Sequence, residues 1–156
     1  MNMYKSYQFR LYPNNQQIVQ IQKTFGCTRL VYNYYLEKRK KDNLTCFDVI
    51  KDLPNLYSEY PFLKEVDSCS LRCSLFDLDD AFKRYFKHQN NYPKFKGKYS
   101  SKRCYRTNYI TSTYKGKRYE NIRVDLKREV IILPKLKEVK IRGYRNLESL
   151  PGRIIN

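Results

Sequence analysis

The chain has 156 residues, with 32 Lys or Arg against 15 Asp or Glu and a formal net charge of +17. That length fits one ordinary domain or two small ones, and that charge draws the protein toward polyanions. No apolar run approaches the roughly 20 residues of a membrane-spanning helix, and the start Met1-Asn2-Met3-Tyr4-Lys5 is not a secretory signal. Five cysteines without secretory context predict reduced thiols and an intracellular protein, cytoplasmic and nucleoid-associated.

From Tyr4 to Tyr12 the pattern alternates, with Tyr7, Phe9 and Leu11 on one side, which predicts a half-buried strand stopped by Pro13. Asn14 or Asn15 then caps a helix carrying Ile18, Ile21 and Phe25 inward. Gly26 is read as its end, and a second helix runs from about Cys27 to Lys41, so the pair reads as a helix-turn-helix. A third short helix with Phe47, Ile50 and Leu53 inward is expected to break at Pro54. Asp67 or Ser68 caps a long helix whose stripe is Leu71, Leu75, Leu78, Phe82, Tyr85 and Phe86. After Asn91 the period changes to that of strands, over Cys104–Tyr114, Ile122–Leu126, Val130–Leu133 and Val139–Ile141. Leu147–Gly152 reads as a turn and Arg153–Ile155 as a strand beginning. The fold expected is α+β. A small antiparallel β-barrel consists of residues 1–13 and 92–156, with the helical segment 14–91 inserted and the first strand paired with the later ones.

The charge is uneven. Residues 1–88 hold 14 basic and 10 acidic groups, residues 89–156 hold 18 and 5. From Ala81 to Tyr119 there is no Asp or Glu, while 12 Lys or Arg and 10 Phe or Tyr are present. Cations neutralise phosphates and aromatic rings offer faces for bases, so this composition suits a nucleic-acid surface. Tyr92, Tyr99, Tyr105 and Tyr109 are the stacking candidates, about half of which strand alternation should turn inward. A membrane surface would need a basic amphipathic helix, and the second part offers none.

Catalytic and metal-binding patterns are weak. His88 is the only histidine and stands at the basic end of a helix, the position of a dipole partner. Cys69 and Cys73 lack a second ligand pair and read as small helix-core residues. Asp77, Asp79 and Asp80 read as a solvated helix face. No catalytic residue, metal ligand or cofactor is expected in this chain.

Several phrases stand in a specific order: Tyr7-Gln8-Phe9-Arg10-Leu11-Tyr12-Pro13-Asn14, Thr24-Phe25-Gly26-Cys27-Thr28-Arg29-Leu30-Val31-Tyr32-Asn33, Leu63-Lys64-Glu65-Val66-Asp67, Ala81-Phe82-Lys83-Arg84-Tyr85-Phe86, Tyr92-Pro93-Lys94-Phe95-Lys96, Leu133-Pro134-Lys135-Leu136 and Val139-Lys140-Ile141. Together they resemble the N-terminal half of the TnpB (OrfB-type insertion-sequence transposase) family. The resemblance implies an RNA-guided DNA endonuclease in full-length members. It also implies a wedge-like barrel with an inserted recognition domain, and guide RNA and DNA as partners. The family's Mg²⁺-binding carboxylates and zinc ribbon lie C-terminal to the matched part, so the chain is expected to end before the nuclease domain and to have no cleavage activity of its own. The residues expected to touch nucleic acid, from the resemblance and from the basic window together, are Arg10, Arg29, Tyr32, Asn33, Lys94, Lys96, Lys98, Tyr99, Arg103, Tyr105, Arg106, Lys135 and Lys140. Ser68, Cys69 and Arg72, with Thr107, Thr111 and Ser112, correspond to the family's target-adjacent readout. Arg72 stands where relatives often carry Gln, and Arg favours guanine edges. Helix packing and capping remain an equal reading for Arg29, Tyr32 and Asn33. The alternatives from composition are a helix-turn-helix reader of duplex DNA from a mobile element and a general RNA-binding domain.

Overall fold

The computed structural model describes residues 6–99 and 101–143. The strand expected over Arg153–Ile155, the turn at Leu147–Gly152 and the first residues of the opening strand lie outside them. The elements in order are β1 (Phe9–Tyr12), α1 (Asn15–Lys41), α2 (Cys46–Glu59), a 3-10 helix (Pro61–Glu65), α3 (Ser68–Phe86), β2 (Thr111–Tyr114), β3 (Lys117–Glu120), β4 (Arg123–Asp125), β5 (Val130–Leu133) and β6 (Lys137–Gly143). They fall into two compact units, residues 1–19 with 109–156, and residues 20–108.

In the strand unit, β1, β6, β5 and β4 form one antiparallel sheet in that order, and β2 pairs with β3 in a separate ribbon. The late partner expected for the first strand is β6: Phe9 lies opposite Gly143 and Leu11 opposite Ile141. By register, Phe9, Leu11, Ile141, Val139, Ile131 and Val124 share one face of the sheet. Val139 and Ile141 are buried, whereas Leu11, on an edge strand with one neighbour, is 43% exposed. The expected barrel is not closed among the described residues. Among the described residues the outer strands of the sheet are β1 and the three-residue β4. The β2–β3 ribbon is solvent-exposed on both faces, so it has no apolar side with which to complete a wall. Its turn is built by Lys115 and Gly116, both at positive φ (48° and 73°), the twist a tight hairpin needs.

Asn14 and Gln17 form a reciprocal cap at the start of α1: each side chain accepts from the other's backbone N–H at 2.9 Å. The Gln17 amide donates in addition to the carbonyls of Leu136 and Glu138, at 2.9 and 2.7 Å, tying this cap to the β5–β6 turn.

The helical unit corrects several sequence expectations. α1 is continuous from Asn15 to Lys41 and passes straight through Gly26. Glycine inside a helix costs about 1 kcal/mol, and burial of Cys27, Val31, Tyr35 and Leu36 along the same helix outweighs it. α2 likewise runs through Pro54 to Glu59. Its start is secured by a capping box between Thr45 and Asp48, and it buries Val49, Leu53 and Leu56, while Phe47, expected inside, is 65% exposed. The expected stripe of α3 is largely found: Leu71, Leu75, Leu78 and Phe82 are buried in one core with α1 and α2, and Phe86 is exposed.

Polar contacts fix these helices to each other. Asp79 is not on a solvated face: its carboxylate takes Arg39 of α1 at 3.2 Å and Lys83 at 2.8 Å, with Arg39 stacked 4.4 Å from the centre of the Phe82 ring. Asp52 of α2 accepts from Lys38 at 2.6 Å, from Asn55 at 2.9 Å and from the Tyr35 hydroxyl at 3.1 Å. The Lys38 bond, then that of Asn55, holds the Asp52 carboxyl below its ordinary 3.8. α3 ends with His88 at φ 55°, its N–H on the Tyr85 carbonyl and that of Gln89 on Arg84, a Schellman end with histidine where glycine is usual.

Two measurements follow from these contacts. His88→Gly relieves the left-handed strain and should stabilise the protein by about 0.5–1 kcal/mol in urea unfolding. A carboxyl whose folded value is depressed contributes stability above its unfolded value, and that part is lost as pH falls through the folded one. The stability gap between the native protein and Asp52→Asn should therefore be constant from neutrality to about pH 5 and shrink below about pH 4. A gap that widens on acidification contradicts the assignment.

Candidate nucleic-acid interface

The acid-free stretch from Tyr92 to Asn108 contains no helix or strand among its described residues. It belongs to the helical unit, and side chains of α1 and α3 hold its backbone. Asn33 on α1 grips Lys96 from both sides: its amide donates to the Lys96 carbonyl at 3.0 Å and its oxygen accepts from the Lys96 N–H at 2.8 Å. Ser70 on α3 donates to the Arg106 carbonyl at 2.6 Å. Thr107 donates at 2.6 Å to Asp67, whose carboxylate also caps α3 through the Cys69 N–H. Arg106 forms a 2.6 Å salt bridge with Asp77. At the segment's start, Tyr92 packs edge-on against Phe82 and Tyr85.

Between these ties lies a cavity of about 250 Å³. Arg29 of α1 and Lys96, Lys98, Lys102, Arg103 and Arg106 of the segment contribute cations to its wall. Asp77 is the one carboxylate lining it among the described residues, and its ion pair goes to Arg106. The floor is apolar and polar by turns, with Phe25, Thr28, Ser70, Cys73 and Ser74. The hydroxyls there are engaged with backbone: Thr28 donates to Phe25, Ser70 to Arg106 and Ser74 to Leu71. The ammonium of Lys96 lies 3.9 Å above the Tyr32 ring, and desolvation lowers its pKa.

The structure thus gathers Arg29, Lys96, Lys98, Arg103 and Arg106 in one place, and adds Lys102, which the sequence reading passed over within the basic window. Tyr99 is 83% exposed, with Lys98 and Arg103 at 5.4 and 5.9 Å from its ring centre. Other members of the expected set have structural posts. Tyr32 is a core residue, 5% exposed, and Asn33 is the clamp on Lys96. Cys69 is buried and Thr107 is tied to Asp67. Tyr105 is half-buried, and burial raises its pKa. Ser68 and Arg72 at the start of α3, and Lys94, are exposed. Asp67, Ser70 and Asp77, absent from the expected set, position the segment; the only sequence signal was Asp67 as a cap.

Within the strand unit, Arg10, Tyr12, Lys140 and Arg142 share the sheet face opposite Ile141, with Arg10 5.7 Å from the Tyr12 ring. All four are exposed. Thr111 and Ser112 are exposed on β2, and Lys135 is exposed at φ 63° in the β5–β6 turn.

No described group of three or more His, Cys, Asp or Glu could hold a metal ion. All five cysteines are free, and burial raises the pKa of Cys27, Cys46, Cys69 and Cys73, which makes them poor nucleophiles. No helix among the described residues is long and apolar enough to cross a membrane.

Removing the Asn33 clamp should free the segment without unfolding the helices. Asn33→Ala is expected to raise amide exchange at Lys96 at least tenfold while the α3 core stays protected. Equal loosening of α3 would mean that the clamp supports the core instead.

Residues 1–42 match the family model HTH_OrfB_IS605, a helix-turn-helix domain. In the structure the described part of that stretch is β1 and the unbroken α1, and the first turn between helices comes after Lys41. Over 107 residues the chain is 30% identical to a protein of Streptomyces pristinaespiralis named "Putative RNA-guided DNA endonuclease". The match covers 63% of this chain and 26% of that relative, so the chain spans about a quarter of the relative's length. Residues 1–42 are thus similar to an OrfB-type helix-turn-helix domain, and a stretch of 107 residues is similar to part of a protein named as a putative RNA-guided DNA endonuclease.

Proposed function

We propose that this chain binds nucleic acid as the guide-holding part of a TnpB-like protein, contacting guide RNA and the backbone of target DNA. The observation that carries the reading is the clustering of six cations around one cavity whose single described carboxylate is already paired. The exposed basic face with Arg10 and Lys140, the edge-exposed Thr111 and Ser112, and Arg72 and Ser68 at the head of α3 are further contacts in this reading. The name of the Streptomyces relative supports an RNA-guided role. No described residue is assigned a catalytic role.

If about eight of these cations meet phosphates, log affinity should fall against log salt with a slope near −6 to −7. At matched salt a structured RNA should bind more tightly than a duplex DNA of equal length, measured by fluorescence anisotropy. Preference for one short duplex site would favour a helix-turn-helix reader of DNA instead. Equal binding to heparin and to every nucleic acid would remove the guide-RNA reading.

A further inference from the structure

The cavity and Tyr99 form one composite surface. Lys98 and Arg103 line the cavity and also stand within 6 Å of the Tyr99 ring centre. A tyrosine this exposed makes no contribution to the core, and stacking on a base needs only its open ring. Beside it, Arg29, Lys96, Lys102 and Arg106 complete the cationic wall. At about 250 Å³ the cavity is smaller than the roughly 300–1,000 Å³ of pockets that enclose a whole drug-sized ligand. It suits a single charged group.

We propose that this composite site takes one unpaired nucleotide of a nucleic-acid strand, with its phosphodiester in the cavity between Arg29, Lys98 and Arg103 and its base stacked on Tyr99. The site deepens the nucleic-acid reading above and rests on it. A duplex keeps its bases stacked on each other and cannot offer a free face to Tyr99, whereas a loop or displaced strand can. Recognition by ring face and phosphate makes the site tolerant of base identity and of sugar type.

The test uses the full chain and fluorescein-labelled octanucleotides: single-stranded RNA, single-stranded DNA, and a blunt duplex of the same length. Both single strands should bind more tightly than the duplex. Tyr99→Ala should weaken single-strand binding roughly tenfold and leave duplex binding unchanged, and Tyr99→Phe should retain it. Replacing Lys98 and Arg103 by Gln should reduce the single-strand salt slope by about 0.7, the share of one phosphate. Unchanged thermal melting of the variants shows that folding is kept. Unaltered single-strand affinity in Tyr99→Ala, or an equal loss on the duplex, overturns the composite site while leaving general nucleic-acid binding intact. Displacement of the strand by inorganic phosphate with no effect of Tyr99→Ala marks a simple anion site and also overturns it. Failure of every oligonucleotide to bind the native protein removes the site and the nucleic-acid reading together.

Discussion

The described residues from 92 to 108 have no helix or strand of their own, so their backbone must find hydrogen bonds elsewhere, and the helices supply them at Lys96 and Arg106. An unpaired N–H or C=O held away from water costs free energy comparable to a lost hydrogen bond. Asn33 and Ser70 meet that demand at Lys96 and Arg106, each from a helix already fixed by the core, while Asp67, the cap of α3, holds the Thr107 side chain. The cationic cavity is a consequence. Like charges gathered on one short stretch repel, and only a segment tied down at both ends can keep them around a shared space.

The ties depend in turn on rigid helices. Asn33 can reach Lys96 because α1 does not break at Gly26; a turn there would redirect every residue after it. Asp67 serves twice, as the cap of α3 and as the acceptor for Thr107. The buried faces of α1, α2 and α3 and the Arg39–Asp79 and Lys38–Asp52 pairs hold these positions. The cations that line the cavity are thus carried mainly by an irregular segment, and their placement by the helices that hold it.

The two units solve different problems. The helical unit buries an apolar stripe on each helix. Among the described residues, the strand unit buries Val130, Leu133, Leu136, Val139 and Ile141, leaves its ribbon exposed on both sides, and does not close its sheet. Polar ties compensate there as well: Gln17 bridges a helix cap to the β5–β6 turn, and Arg128 meets Glu138 through two bonds of 2.8 and 2.9 Å.

Local chemistry was readable directly. The α3 stripe, the Asp67 cap, the opening strand with a late partner, the alternating β6 and the acid-free window all rest on periodicity or composition, which short-range physics imposes on any fold. Gly26 and Pro54 misled because propensity costs of about 1 and 3 kcal/mol are small beside the burial of a whole helix face. The expected strand over Cys104–Tyr114 narrowed to Thr111–Tyr114, since the preceding residues bond to α3 instead. Sequence by itself determined that cations and aromatics would stand together without acids from Ala81 to Tyr119. Only tertiary structure decided which of them do structural work: Tyr32 went to the core and Asn33 to the clamp, while Tyr99 stayed in solvent. That choice depends on contacts between residues 63 apart in the chain, such as Asn33 and Lys96, and no local pattern encodes a partner at that distance.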